Sequence, residues 1–389
     1  MKIALCYPSV LPVRGGCETY IADLARRLAQ DRHEVHLYAC QWDAPTLPAG
    51  LQYHPIRVPR GPRFLRPWVF ARRCLRELHT DGDAVSIGFD KTYGQDILYP
   101  LGGLHAASAE HNLGKFASSW MRGLARFVRS VDPAHISYTL LERRQYQAEH
   151  RPLVVVNSEL VRGHFRQHYG TDPDDIRVVR SAVDADRFAQ PDRPKRRLEW
   201  RLRWGIEPDD LVGLFVAMNY RLKGLEPLLH AVALLPRKDR FRLLVVGHPN
   251  VGAYQRLAAK LGIAERIVFL GPRRDVHHCF FAADFLVHPT FYDPCSLVVL
   301  EALVCGLPVI TSRHNGASEL LHPPKEGYVV DDPHDHRHLS WCIEQLLDPA
   351  RRHACQQAAR RSAGQWDFET HYRQVLAVFE EAEARKQAA

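Results

Sequence analysis

Short, wholly apolar runs recur along this chain, each followed by room for one helix, and that rhythm restricts the fold more than any other feature. KIALCYPS (2–9), HEVHLYAC (33–40), AVSIGF (84–89) and LVVVNS (153–158) form one set. LVGLFVAM (211–218), FRLLVVG (241–247), RIVFLG (266–271), DFLVHPT (284–290), LPVITS (307–312) and GYVVD (327–331) form a second. Strands that are apolar at successive positions belong to sheets covered on both faces, which are parallel sheets. Between the first two runs, ETYIADLARRLAQ carries Ile21, Leu24, Ala25 and Leu28 at helical spacing. This is a β-α-β unit. The other gaps read alike, as in LEPLLHAVALL, AYQRLAAKLG and VVLEALVCG. The chain therefore predicts an α/β fold with two Rossmann-like, doubly wound parallel-sheet domains facing across a cleft. The expected domains are residues 1–185 and 186–369, with the charged, proline-bearing PDRPKRR (191–197) as linker. A last helix, about residues 370–389, is expected to pack back on the first domain.

The bulk numbers remove several classes. With 389 residues, 46% of them hydrophobic, the chain has ample core and is not disordered. Its nine cysteines are scattered and lack a C-x-x-C pair, which fits reduced thiols in the cytoplasm better than disulfides or zinc. The apolar start of MKIALCYPSV is too short for a signal-peptide core. No run reaches the ~20 apolar residues of a membrane span. The net charge is +8, and seven arginines from Arg57 to Arg76 interleave with Phe64, Trp68 and Phe70. Cations beside aromatics suit an anionic membrane surface or an acidic acceptor, so peripheral contact with the inner face of the cytoplasmic membrane is expected. Nucleic acid is disfavoured, because no zinc finger, RNP motif or basic zipper is present.

Chemistry concentrates in a few loops. In FYDPCSLVVLEALVCGLPVITS (291–312), Asp293 and Glu301 stand eight positions apart in an otherwise apolar stretch. A buried acid is costly unless paired, so the two read either as a helix cap and a solvent-facing residue or as acids turned to a polar ligand. NYRLKG (219–224) puts Arg221 and Lys223 after a strongly apolar run. Gly15 and Gly16 follow the first strand, where backbone without side chains approaches a ligand closely. LGGLHAASAEH (101–111) supplies two more glycines and His105, with His111 and Asp96 as weaker candidates. The strings DGD (81–83), DPD (172–174) and DAD (184–186) spell a short metal-binding pattern that arises easily by chance. Neither G-x-x-x-x-G-K-[ST] nor G-x-G-x-x-G occurs, which argues against P-loop NTPases and nicotinamide dehydrogenases.

DPCSLVVLEALVCGLPVITS resembles the E-x7-E segment of retaining glycosyltransferases of family 4, which have the GT-B fold. RGGCETYIADLARRLAQDRHEVHLY resembles their N-terminal glycine loop and helix. The string GFDKTYGQDILY, with the placing of NYRLKG and HPTFYDP, is most similar to lipopolysaccharide-core glucosyltransferases. The resemblance implies transfer of a sugar, a hexose such as glucose, from a nucleotide-diphosphate sugar to a hydroxyl of a lipopolysaccharide-type or other glycan or glycolipid acceptor. UDP is the expected nucleotide, GDP the next. Arg221 and Lys223 would neutralise the diphosphate, and the amides of Ser296, Leu297 and Val298 would meet it at a helix start. Asp293 would hold the transferred sugar, Glu301 the ribose, and His105 the sugar or the transition state. Gly15 and Gly16 would approach the donor, Asp184 would shape a hinge, and Arg273 or Arg274 would touch the base. No metal is required, since the basic pair already offsets the phosphate charge. Two departures stand out: Asp293 replaces Glu and is shorter by one bond, about 1.5 Å, and Cys295-Ser296 replaces Phe-Gly. They leave open a catalytically silent binding subunit, while a GT-B sugar-nucleotide epimerase is a second alternative.

Overall fold

A computed structural model describes residues 1–11, 16–80, 82, 84–147, 151–183, 185, 188, 192–236, 240–362, 364 and 367–388. The chain divides into two compact units, one of residues 1–113, 118–180 and 369–389, the other of residues 114–117 and 181–368.

The first unit contains β1 (Lys2–Cys6), β2 (Ser9–Val10), α1 (Gly16–Gln30), β3 (Glu34–Ala39), β4 (Gln41–Trp42), β5 (Gln52–Pro55), α2 (Arg66–Thr80), β6 (Val85–Phe89) and β7 (Ile97–Tyr99). It continues through α3 (His105–Gly114), α4 (Ser119–Ser130), α5 (Pro133–Tyr146), β8 (Leu153–Val156), α6 (Glu159–Tyr169) and β9 (Ile176–Val178). Seven strands form an all-parallel sheet in the order β5-β3-β1-β6-β7-β8-β9, and β2 pairs with β4 separately. The order reverses direction between β1 and β6, which places a crevice at the carboxyl ends of those two strands.

The second unit holds α7 (Arg193–Arg203), β10 (Leu211–Ala217), α8 (Leu225–Leu234), β11 (Phe241–Gly247), α9 (Gly252–Lys260), β12 (Ile267–Gly271), α10 (His277–Ala282) and β13 (Phe285–His288). After these come α11 (Leu297–Val304), β14 (Val309–Ser312), β15 (Gly327–Val330), α12 (His336–Leu347) and α13 (Pro349–Ser362). Its six strands, all parallel, run β12-β11-β10-β13-β14-β15. Here the switch point falls between β10 and β13. Neighbouring strand residues serve opposite cores: Leu244, Val246 and Leu286 pack with α11, while Leu243, Val245 and Val287 pack with α8 and α12. Both faces are covered, which is why these strands are apolar on both sides over most of their length. The last helix, α14 (Phe368–Ala388), returns to the first unit. Arg177 there grips Glu381 through both carboxylate oxygens, at 2.8 and 2.6 Å, and His371 bonds the Arg180 carbonyl and Tyr20 hydroxyl.

Residues 193–197, read as linker, instead open α7, with a proline in its first turn, where a missing N–H costs nothing. The helix is fastened from within. Arg201, 1% exposed, donates to Asp284 Oδ2 at 2.8 Å and to the carbonyls of Ala282, Pro208 and Asp210. Arg197 takes Asp284 Oδ1 at 2.5 Å, and the Val212 amide donates to Oδ2 at 2.7 Å. A charge buried this deeply survives because each guanidinium nitrogen has a partner and the counter-ion is at hand.

The fold generates two predictions. Asp284→Ala strands Arg201 without its counter-ion and should cost about 3–5 kcal/mol, read as a fall in the urea midpoint at unchanged slope. The second concerns acid. Burial holds His288 near pKa 3, with Lys223 adding to the depression, and burial with His111 and His168 holds His164 near 4. Both stay neutral when folded but charge below about 6.5 when unfolded. Stability is then intact above that pH and falls as pH drops toward the folded values, by up to about 1.4 kcal/mol per pH unit for each. Urea titrations between pH 7 and 5 should show this, and His288→Gln should flatten the slope.

Candidate functional site

At the second unit's switch point, two loops meet. The loop leaving β10 makes a turn in which Asn219 Oδ1 accepts from the Leu222 amide at 3.1 Å and Gly224 caps α8 at φ +82°. That glycine is required twice over: the φ is left-handed, and a Cβ would stand 2.1 Å from the Pro289 carbonyl oxygen. The close approach draws the loop leaving β13 alongside, and the Phe291 amide donates to the Leu222 carbonyl at 2.9 Å. Lys223 thereby reaches across. Its Nζ donates to Asp293 Oδ2 at 2.6 Å and to the Tyr292 carbonyl at 2.9 Å. Arg221, exposed, makes no ion pair among the described residues and lies over the Phe116 ring at 4.4 Å.

The acid side is fixed by the loop after β14. Asp293 bridges Asn315 as an isolated parallel pair, its amide donating to the His314 carbonyl and its carbonyl accepting from the Gly316 amide. Fully buried Asn315 accepts from the amides of Ser296 and Ala317, each at 3.1 Å, and donates to Thr311 Oγ1 at 3.0 Å. The Ser296 amide, expected to be open to an anion, is thus already engaged. Those of Leu297 and Val298, at the start of α11, have no partner among the described residues. Glu301 sits one turn further on, half-buried between the core residues Leu300 and Ala302. Cys295 is buried, and burial pushes its thiol up to about 12, so it acts as a small apolar filler.

In the first unit, the loops leaving β1 and β6 border a cavity of about 400 Å³ lined by Tyr7, Asp90, Lys91, His105, Tyr138 and Glu142 among others. His105 opens α3. Its Nε2 shares a proton with His135 Nδ1 at 2.9 Å, and desolvation, then His135 and Lys91, hold it at about 4. It is therefore a neutral imidazole at pH 7. Glu142 caps the same helix start by accepting from the amides of His105 and Ala106 and from the Tyr169 hydroxyl at 2.7 Å. Asp90 adopts a left-handed φ of +54° and accepts from the Gly102 amide at 3.0 Å. The Lys91 ammonium lies 3.4 Å from the centre of the Tyr138 ring; burial pulls its pKa down, against Asp90 and Glu142.

The structure brings Arg221, Lys223, Asp293, Ser296, Leu297, Val298 and Glu301 onto neighbouring segments of one unit and puts His105 in a cavity of the other. Gly16 is the exposed first residue of α1; Gly15 and Asp184 lie outside the described residues. Asp96 is occupied by the Ser86 amide and hydroxyl, at 2.8 and 2.6 Å, and His111 by His164. Arg273 is bidentate to Asp275 and lies over Trp200 and Trp204, so it serves packing. Asp172 caps a short turn by accepting from the Asp174 amide. Among the described residues no cluster of three or more His, Cys, Asp or Glu could hold a metal. Sequence reasoning missed Asn315, His288, Asp90, Lys91, Tyr138 and Glu142. Asn315 lies in no motif, while His288 sits in HPTFYDP and Asp90 and Lys91 in GFDKTYGQDILY, strings that mark the family without giving these residues a role.

One surface feature also differs from expectation. In the arginine stretch, Phe70 is buried and Trp68 donates to Ser137, so its aromatics turn inward. The exposed apolar face lies on α4 instead, where Trp120, Leu124, Phe127, Val128 and then Val131 follow helical spacing and are each more than half exposed. No described helix is long and apolar enough to cross a membrane.

Comparison with known proteins agrees with this geometry. Residues 14–187 match the model of Glycosyltransferase Family 4, and residues 196–362 match Glycosyl transferases group 1. The chain is 24% identical to lipopolysaccharide glucosyltransferase WaaG of Escherichia coli, over 89% of this chain and 90% of that protein. It is 27% identical to D-inositol 3-phosphate glycosyltransferase of Salinispora tropica, over 95% and 82%. The crystal structure of WaaG superposes with a TM-score of 0.77 at 22% identity, covering 98% of each chain. Anabaena HepE in complex with UDP-glucose gives 0.66 at 19%, covering both chains fully. With GT-B architecture and two family models spanning most of its length, this chain belongs to the retaining glycosyltransferases of family 4 and moves a sugar from a nucleotide-sugar donor.

Proposed function

We propose that the chain transfers a hexose, glucose being favoured, from UDP to a hydroxyl of a lipopolysaccharide-type or related glycolipid acceptor. The observation that carries the donor half is the Lys223–Asp293 pair at the β10/β13 switch point, with Arg221 and the first amides of α11 nearby. A pyrophosphate supplies the counter-charge that Arg221 lacks and competes for Lys223. Release from Lys223 frees Asp293 to accept from sugar hydroxyls, and Glu301 serves the ribose. The name of WaaG and the UDP-glucose held by HepE favour glucose and UDP.

The chemistry follows from charge. As the glycosidic bond breaks, negative charge grows on the pyrophosphate, where the two cations and the helix start stabilise it most. The departing phosphate oxygen takes the acceptor proton on the same face, which retains the anomeric configuration. His105, neutral at pH 7, positions by hydrogen bonding and carries no charge. The chain works at the inner surface of the cytoplasmic membrane: the apolar stripe of α4 enters the lipid boundary, and Arg122 and Arg126 meet anionic headgroups.

Three outcomes test this reading. In a thermal-shift screen of nucleotide sugars, UDP-glucose should raise the melting temperature by mass action; no shift with any donor overturns the proposal. Lys223→Ala should weaken UDP binding by about 10- to 100-fold, whereas Asp293→Ala, which unpairs Lys223, should keep UDP affinity and lose the added affinity of the glucose. Transfer to a lipid-linked acceptor, with product configuration read by NMR, excludes a silent subunit, and donor turnover only when acceptor is present excludes an epimerase. For the membrane, sedimentation with vesicles containing anionic lipid should capture the wild type at low salt and lose it in Trp120→Ser/Phe127→Ser, while neutral vesicles capture neither.

A further inference from the structure

The first unit's cavity holds a cation whose only close contact among the described residues is an aromatic face. Lys91 follows β6 at the switch point, and its ammonium has no hydrogen-bond acceptor and no ion-pair partner among the described residues. The two nearest acids are committed elsewhere. Asp90 is held by the Gly102 amide and the Cys17 thiol, and Glu142 by two amides of α3 and a tyrosine. A half-buried ammonium left on an aromatic face has given up water without gaining an oxygen in exchange. Around it the cavity offers what a sugar ring needs: aromatic faces from Tyr7 and Tyr138, and hydrogen-bonding groups from Asp90, Ser108 and His105. The Nδ1 of His105 has no partner among the described residues.

We propose that Lys91 makes this cavity selective for a sugar bearing an anionic group, a phosphate or a carboxylate. That the ligand is a sugar rests on the transferase reading; the choice of an anionic one rests on Lys91 alone. An oxyanion beside Lys91 restores the lost hydrogen bonds as charge-assisted ones. Tyr138, under the ammonium, keeps it from folding away into bulk water.

The test uses the full chain saturated with UDP and measures dissociation constants for glucose 6-phosphate, glucuronate and glucose. Either or both anionic sugars should bind at least about tenfold tighter than glucose. A preference for glucose 6-phosphate alone assigns the cavity to phosphate; equal preference assigns it to any oxyanion. Lys91→Met should erase the preference, and Lys91→Arg should retain it. The shift produced by UDP-glucose should be unchanged in both variants. The proposal is overturned if glucose binds as tightly as the anionic sugars, if none of the three binds, or if Lys91→Met keeps the preference. Failure of UDP-glucose to stabilise the wild type would instead strike the donor reading.

Discussion

Parallel pairing of apolar strands is the constraint from which the rest follows. It forces both faces of each sheet under helices, so neither face is left for a ligand and the strand ends are the open ground. There, the reversal of strand order spreads two loops apart, between β1 and β6 in one unit and between β10 and β13 in the other. Tyr7 and Lys91 stand after the first pair of strands, Lys223 and Asp293 after the second. One topological rule, applied twice, gathers residues far apart in sequence into two polar clusters.

The second cluster is held together by contacts that do no chemistry. Gly224 allows two loops to touch, Asn315 ties the β14 loop to the start of α11, and Asp284 locks α7 beneath the sheet. These groups set where the Lys223 and Asp293 side chains stand. The cluster therefore depends on residues that set position and take no part in the chemistry.

Much of this was readable in the sequence, and the reason is physical. Buried parallel strands need continuous apolar runs, so β1, β3, β6, β8 and β10 to β15 announced themselves. β5, with its alternating polar residues at a sheet edge, and the three-residue β7 and β9 gave no comparable signal. Segment 191–197 looked like linker because α7 hides its anchoring in arginines, which composition counts as surface residues. The residues proposed for the donor lie in two short motifs, Arg221 with Lys223 and Asp293 with Glu301, and a short motif is visible without the fold. Asn315 and Glu142 were not, because a cap is defined by the helix that it meets in space, and that partner is 19 residues away for one and 36 or 37 for the other. Exposed aromatics were expected near Arg57 to Arg76, yet burial of Phe70 against Cys74 and Tyr38 turns that stretch inward, and the exposed apolar stripe is on α4.

The return of α14 to the first unit has a consequence for synthesis. Arg177 and Glu381 are separated by 204 residues, and His371 meets Tyr20 across 351. A chain emerging from the ribosome must thus complete the whole intervening unit before its opening sheet receives the final layer. The amino-terminal half waits, unfinished, until α14 has been made.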